Sequence, residues 1–392
     1  MIKFENVDVV FGKQAERALP MLDKGLSRAE ILDQTGLTAG VRNATLSVKK
    51  GEICVLMGLS GSGKSSLLRT ANGLNPVTRG KVLIETEHGM KDFMSLSEAE
   101  QRDLRMNKIT MVFQKFALMP WLTVAENVAF GLEQKGLPKK EIKEKTAQQL
   151  ALVGLDQWAD KKPSELSGGM QQRVGLARAL AMETDIILMD EPFSALDPLI
   201  RTQLQDELLR LQEQLQKTVI FVSHDLDEAL KLGNHIAIMK DGEIVQHDTP
   251  ENIVLNPAND YVREFVAHTN PAEVVKAGSL KRPLETLVKE NNEFLLSRRH
   301  DYWLDKQDAI SASSVRYGDK QHTLQQWDGV QAIETLAKLP TVVCESTLMK
   351  DVMEIRYVTG HGVLVEKDQQ IVGYIGDKDI YHAILGKLLE DD

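Results

Sequence analysis

The run "MIKFENVDVVFG" (1–12) alternates apolar and polar positions and predicts an edge strand ending in a turn. Residues 13–40 form a polar insertion holding one short helix: Ser27 and Glu30 make a capping box ahead of "AEILDQ", and Gly36 stops it. Strands are expected at "ATLSV" and "EICVLMG", and from about 95 to 180 the pattern is mainly helical. "DIILMD" and "TVIFVS" are short and almost wholly apolar, as strands of a parallel sheet covered on both faces must be. "HIAIM" and "EIVQH" flank the turn "KDGE" and predict a closing hairpin. "NPANDY" (256–261) opens the last helix of this unit.

Beyond it the character of the chain changes. The pattern predicts an α/β unit over 1–267, a linker over 268–274 around "HTNPAE", and a smaller α+β accessory domain over 275–392. Residues 275–335 carry no recognisable motif, and no fixed-period repeat runs through the chain. Residues 363–388 read as strand, turn, strand and helix, with Asp377 as the N-cap.

Composition narrows the classes. A chain of 392 residues suggests two or three domains, and 42% hydrophobic with 27% charged residues describes an ordinary globular protein. A net charge of -10 argues against broad electrostatic binding to nucleic acid or anionic lipid. The two cysteines, Cys54 and Cys344, allow neither a disulfide framework nor a zinc cluster and fit a reducing cytoplasm. The N-terminus lacks the build of a signal peptide, and no apolar run approaches the ~18 residues that span a bilayer. Work at a membrane would need a partner.

The chemistry is carried by four places. "GLSGSGKS" (58–65) fits G-x-x-x-x-G-K-[ST] at every fixed position, follows a predicted strand and opens a helix. Gly58, Leu59, Ser60, Gly61, Ser62, Gly63, Lys64, Ser65 and Ser66 are therefore expected to wrap the phosphates of ATP, with Lys64 on the β- and γ-phosphates and the Ser65 hydroxyl on Mg²⁺. In "IILMDEP" (186–192) a buried strand delivers Asp190 to its C-terminal end, where α/β sheets bind ligands, to hold Mg²⁺ through water. Glu191 is then placed to polarise the attacking water. His224 in "FVSHD" and Gln114 in "MVFQ" each follow a short apolar strand. His224 is either structural or a contact to the γ-phosphate, and Gln114 either polar surface or a ligand of Mg²⁺ and water.

A second glycine-rich loop, "LSGGMQQR" (166–173), is unexplained by one nucleotide site. In their order, the phosphate loop, Gln114, "LSGG", "ILMDEP", the "SALD" loop (194–197) and His224 resemble the ATP-binding subunits of ABC transporters, over about two-thirds of the chain. The resemblance implies a P-loop NTPase fold and a dimer in which two copies sandwich two ATPs head to tail. Ser167, Gly168 and Gly169 would then cap the nucleotide held by the partner, and Asp197 would relay between sites. It also implies that Phe11 stacks on adenine; a strand-end core position is the alternative.

The insertion between Phe11 and "NATLSV" resembles the branch serving quaternary-amine importers for glycine betaine, proline betaine or choline. "FQKFALMPWLTVAENVAFG" (113–131) resembles importer ATPases, and Leu118, Met119, Pro120 and Trp121 would form a socket for a helix of the membrane-spanning permease; an internal packing loop is the alternative. Residues of about 340–390 resemble one half of a CBS module. Gly373 and Asp379 fit, whereas Gly376 stands where nucleotide-binding versions carry threonine, which points to packing or dimerisation and leans toward a choline-importing relative. The implied assembly is a homodimer on the cytoplasmic face of the inner membrane, bound to a permease and indirectly to a substrate-binding protein, with no nucleic acid. Rival readings are a soluble ABC ATPase acting on nucleic acid or the ribosome, an importer ATPase for another small solute, and a regulatory module with ATP as ligand only. The absence of a coiled-coil insertion or a second cassette argues against the first, and the intact Glu191 and His224 against the last.

Overall fold

A computed structural model describes residues 1–267, 269–291, 293–298 and 301–385. The described residues divide into two compact units, Met1–Thr249 and Pro250–Asp392. The break falls two short helices before the expected position at 267. Helices Pro250–Leu255 and Asp260–Val266 count with the second unit, where Val254 and Leu255 pack against its core.

The first unit holds two sheets. Strands β1 (Ile2–Phe11), β2 (Thr38–Val48), β4 (Arg79–Thr86) and β5 (Gly89–Asp92) form one sheet in the order β2-β1-β4-β5. The first strand is therefore internal, not an edge. It pairs antiparallel on both sides, with β2 and with β4, and Ile2, Phe4, Val7 and Val9 are fully buried. Asp8, also fully buried, accepts from the Asn43 N–H (2.8 Å) and pairs with Arg79 (2.7 Å).

The other sheet positions the site. It comprises β3 (Ile53–Met57), β6 (Ile109–Val112), β7 (Ile186–Asp190), β8 (Thr218–Val222), β9 (His235–Lys240) and β10 (Glu243–Asp248), in the order β10-β9-β3-β8-β7-β6. All pairs are parallel except the expected β9–β10 hairpin. Every residue of β3, β7 and β8 is buried, which accounts for their unbroken apolar runs. Register brings Val112 opposite Met189, Asp190 opposite Val222 and Leu56 opposite Val222, so four strands end at one level.

The insertion holds more than the one expected helix. Helix α1 (Leu19–Asp23), with Pro20 in its first turn, precedes α2 (Arg28–Thr35). The latter has the predicted capping box of Ser27 and Glu30 and ends at Gly36 in the left-handed conformation. Ala18, Leu22 and Ile31 form a small core with Val10, Leu37 and Ala39. The later helices of this unit are α3 (Lys64–Leu68), α4 (Glu98–Asn107), α5 (Val124–Gln134), α6 (Lys139–Leu152), α7 (Gly168–Ala181), α8 (Pro198–Leu215) and α9 (Leu226–Leu232).

In the second unit, the stretch without motifs builds an antiparallel meander over Lys289–Glu290, Glu293–Ser297, Tyr302–Asp305, Ser314–Tyr317 and Lys320–Thr323. Thr341–Cys344, Met349–Thr359, Val363–Lys367, Gln370–Ile375 and Asp377–Leu385 follow as strand, helix, strand, strand, helix. Alternation along these strands divides two cores: Val343, Val363 and Val365 join the helices, whereas Val342, Leu364 and Tyr374 join the meander. Asp377 is the first helical residue rather than the cap, and its carboxylate pairs with Arg356 (2.8 and 3.1 Å). Asp379 instead accepts from the Gly376 N–H (2.7 Å), and burial raises its pKa. The predicted continuation of this helix to 388, like the end of the CBS-like half at about 390, lies outside the described residues.

Because each unit has its own core, a chain ending at Thr249 is expected to melt cooperatively and keep ATP binding. ATP at about 100 times Kd should raise its stability by about 3 kcal/mol, read by thermal melting with and without nucleotide.

Candidate nucleotide site

The phosphate loop connects β3 to α3, and its backbone is tightly confined at two glycines. Gly58 has φ +141°, and a Cβ there would lie 2.2 Å from the Met239 carbonyl oxygen. Gly63 has φ +104°, with the Gly40 carbonyl oxygen 2.4 Å from its would-be Cβ. Leu59, Ser60 and Gly61 form an exposed crest, whereas Ser62 is buried with a hydroxyl that makes no hydrogen bond among the described residues. The Lys64 ammonium folds across the loop and donates to the carbonyls of Gly58 (2.8 Å) and Leu59 (3.1 Å). Its burial lowers the pKa, opposed by the charges of Glu191 and Asp190. Ser66 is half-buried in the same helix. Phe11 keeps 38% exposure and lies against Gly40, whose would-be Cβ would meet the ring at 2.6 Å.

Asp190 is fully buried at the end of β7. Its carboxylate accepts from Ser65 Oγ (2.6 Å) and pairs with Arg69 (2.9 Å). Glu191, next along, has φ +47°, a conformation uncommon for a residue with a side chain. The bend turns its carboxylate toward two of the predicted residues: Gln114 Nε2 donates to Oε2 (3.0 Å), and His224 Nδ1 lies 3.6 Å from the same oxygen. Three strand ends thus converge on one carboxylate.

The structure adds residues that the sequence reading did not single out. Gln172, buried on α7, donates to the Glu191 carbonyl (3.1 Å) and accepts from the Ala195 N–H (3.1 Å). Behind His224, Ser223 donates to Glu228 (2.5 Å), which also accepts from Gln205 (3.0 Å); burial raises the Glu228 pKa. Gln172 lay inside the quoted "LSGGMQQR", five residues past Ser167 on the inner face of the helix, so its spacing was the available signal.

Ser167 caps α7 by accepting from the Met170 N–H (3.3 Å), leaving Gly168 and Gly169 as its first turn. Asp197 caps α8 by accepting from Ile200 (3.1 Å). In the candidate socket Leu118 and Met119 are half-buried, Pro120 is exposed and Trp121 is 70% exposed. Fully buried Asn127 holds this loop, accepting from the Met119 N–H (2.8 Å) and donating to the carbonyls of Met119, Leu122 and Thr123.

A mostly parallel sheet with a phosphate loop after β3, an acidic pair at the end of β7 two strands away and a second glycine-rich helix start defines an ABC-type ATPase. The ABC transporter family model matches residues 41–194. The glycine betaine/proline betaine transport system ATP-binding protein ProV of Escherichia coli (strain K12) is 43% identical over 395 residues, covering 98% of this chain and 97% of that protein. The trimethylamine N-oxide transport system ATP-binding protein TmoW of Pelagibacter ubique is 50% identical over 286 residues, covering 73% of this chain and 82% of that one. Among solved structures, the dimeric post-hydrolysis ATP-binding cassette MJ0796, bound to ADP and Pi, is 33% identical with a TM-score of 0.55, covering 64% of this chain and 99% of that one. The chain belongs to the ATP-binding subunits of ABC importers, in their quaternary-amine branch. It is an ATPase.

The confinement of the loop sets a graded expectation. Gly63→Ala must displace the Gly40 backbone and is expected to abolish ATP binding and cost roughly 1–3 kcal/mol of stability. Gly61→Ala meets no atom within 4 Å at φ +79° and should cost only about 1 kcal/mol. Thermal melts and ATP titrations of the two variants check the order.

Proposed function

We propose that this chain hydrolyses ATP by in-line attack of water on the γ-phosphate and so powers import of a quaternary ammonium compound such as choline or glycine betaine. The reading rests chiefly on the convergence of Gln114 and His224 on the Glu191 carboxylate. Glu191 takes the hydrogen bond of the attacking water, His224 holds that water and the γ-phosphate, and Lys64 balances charge on the β- and γ-phosphates. Gly58–Ser66 donate backbone N–H groups to the phosphates, Asp190 anchors the end of α3, and Phe11 stacks on the base. Ser65, Asp190 and Gln114 present a hydroxyl, a buried carboxylate and an amide oxygen, the hard oxygen donors that suit Mg²⁺, and Arg69 already places a cation against Asp190. When bound, Mg²⁺ neutralises charge on the phosphate oxygens.

Ser167, Gly168, Gly169 and Asp197 serve the nucleotide of a second copy in a head-to-tail dimer. Leu118, Met119, Pro120 and Trp121 receive the membrane-spanning permease, which works with a substrate-binding protein. As in an importer ATP-binding subunit, the chain sits peripherally on the cytoplasmic face of the inner membrane; among the described residues no helix is long and apolar enough to cross a membrane. The domain beyond the ATPase unit, with its CBS-like half, packs or dimerises. Glycine betaine is among the compounds in the relatives' names, with proline betaine, carnitine and trimethylamine N-oxide, whereas choline rests on the sequence of the C-terminal half alone.

Glu191→Gln should keep ATP binding, cut hydrolysis by about 10²-fold or more, and trap an ATP-bound dimer by gel filtration. Unchanged turnover removes Glu191 from the role. Lys64→Ala and Ser167→Arg homodimers should each be nearly inactive, whereas the mixed dimer, with one intact composite site, should regain up to about half of the activity if the sites act independently, or about a quarter for a random mixture. An ATP-dependent crosslink between chains carrying cysteines at Ser62 and Gly168 checks the same geometry without turnover.

A further inference from the structure

Apart from Gly40 at its end, the insertion takes no part in the site as read so far, yet a side chain of its helix reaches the phosphate loop. Its capping box fixes the first turn of α2: Glu30 accepts from both the N–H and the hydroxyl of Ser27 (2.7 Å each). Arg28, the first helical residue, is thereby aimed at two other segments. Its Nε donates to the Ala39 carbonyl (2.5 Å) and its Nη2 to that of Gly40 (3.3 Å), while Nη1 donates to the carbonyl of Gly61 on the crest of the phosphate loop (2.7 Å). The insertion is itself docked, through Arg79 on Asp23 (2.8 Å) and Arg42 on the Leu22 carbonyl (3.1 Å).

We infer that the insertion is a clamp on the phosphate loop and that Arg28 is its positioning residue for ATP. This rests on reading Gly58–Ser66 as the ATP site. A loop that binds an anion turns N–H groups inward and carbonyls outward, so each outward carbonyl is a handle for holding the loop. At Gly58 and Gly63 backbone from other strands leaves no room for a Cβ, but at Gly61 the crest is open. A rigid guanidinium that spans Ala39–Gly40 and Gly61 fixes the distance between them with charge-assisted hydrogen bonds. Gly40 is also the residue against which Phe11 and Gly63 lie, so one side chain ties the base side of the site to its phosphate side. Without Arg28 the crest samples more conformers, and ATP must order them on binding. The penalty falls on binding, because Lys64, Glu191 and His224 keep their own supports.

The test is ATP hydrolysis and fluorescent-ATP binding by the full-length chain carrying Arg28→Ala or Arg28→Lys, with Lys64→Ala as control. Arg28→Ala is expected to raise KM for ATP about 5–10-fold with kcat within about twofold, the scale of one ordinary hydrogen bond lost. Arg28→Lys keeps the charge and a contact to Gly61 but not the fork, and should raise KM only about 2–3-fold; it carries the test should the alanine variant fold poorly. KM within twofold of the parent for Arg28→Ala, or a fall in kcat at constant KM, overturns the clamp. If Lys64→Ala loses ATP binding while Arg28→Ala behaves as the parent, the clamp alone fails. If Lys64→Ala binds ATP normally, the reading of the site itself fails.

Discussion

A carboxylate with no access to solvent has to be paired, and at Asp190 that requirement organises the C-terminal ends of the sheet's strands. Desolvating the charge costs several kcal/mol unless donors surround it. Here both come from α3 and its C-terminal edge: the Ser65 hydroxyl on one oxygen and Arg69 on the other. The helix that follows the phosphate loop is thereby bolted to β7, across 125 residues of sequence. Because β7 is also in register with β6 and β8, the same bolt sets where Gln114 and His224 stand relative to the loop. Once Asp190 is fixed, the left-handed turn at Glu191 needs only one residue to bring the next carboxylate to both of them.

The parts of this arrangement that were legible beforehand are those governed by local rules. Buried parallel strands announce themselves as unbroken apolar runs, and the capping box at Ser27 and the phosphate loop are fixed by spacing. What escaped was set by distant partners. The first strand alternates as an edge strand would over its first residues, but β4 claims its free side, and burial of Asp8 depends on Arg79 far along the chain. Asp377 has the right residue type for a cap, yet it stands inside the helix with its carboxylate on Arg356, while Asp379 accepts from the Gly376 N–H just upstream. The meander of the second unit lacks a motif because its strands are short and half-exposed, held by pairing more than by pattern. Gln172, Asn127 and Glu228 are buried polar side chains, and nothing local distinguishes such residues from surface ones.

Several residues expected to act on a partner's nucleotide already have a task in their own chain. Ser167 and Asp197 each cap a helix, which satisfies amides that would otherwise be left open at the helix start. Capping holds the hydroxyl and the carboxylate at the exposed end of a helix whose dipole favours negative charge. The two tasks are compatible, since a capping oxygen stays at the surface while its helix remains intact.

The same loops are joined to Glu191 by short physical links. Gln172 spans from α7 to both the Glu191 carbonyl and the Ala195 N–H, so the helix that begins at Gly168 and the loop ending at Asp197 share one buried amide. Arg201, one turn beyond Asp197, pairs with Asp225 (3.3 Å), the residue after His224. A buried hydrogen-bonded side chain cannot lose its partners without leaving polar groups unpaired, at about 1–3 kcal/mol each. The start of α7 is therefore tied to the Glu191 backbone through a buried amide, whereas the Arg201–Asp225 pair from α8 is part-exposed and holds more weakly. On the proposed roles, the segments assigned to another copy's nucleotide and the Glu191 carboxylate assigned to water share hydrogen-bonded links in this chain.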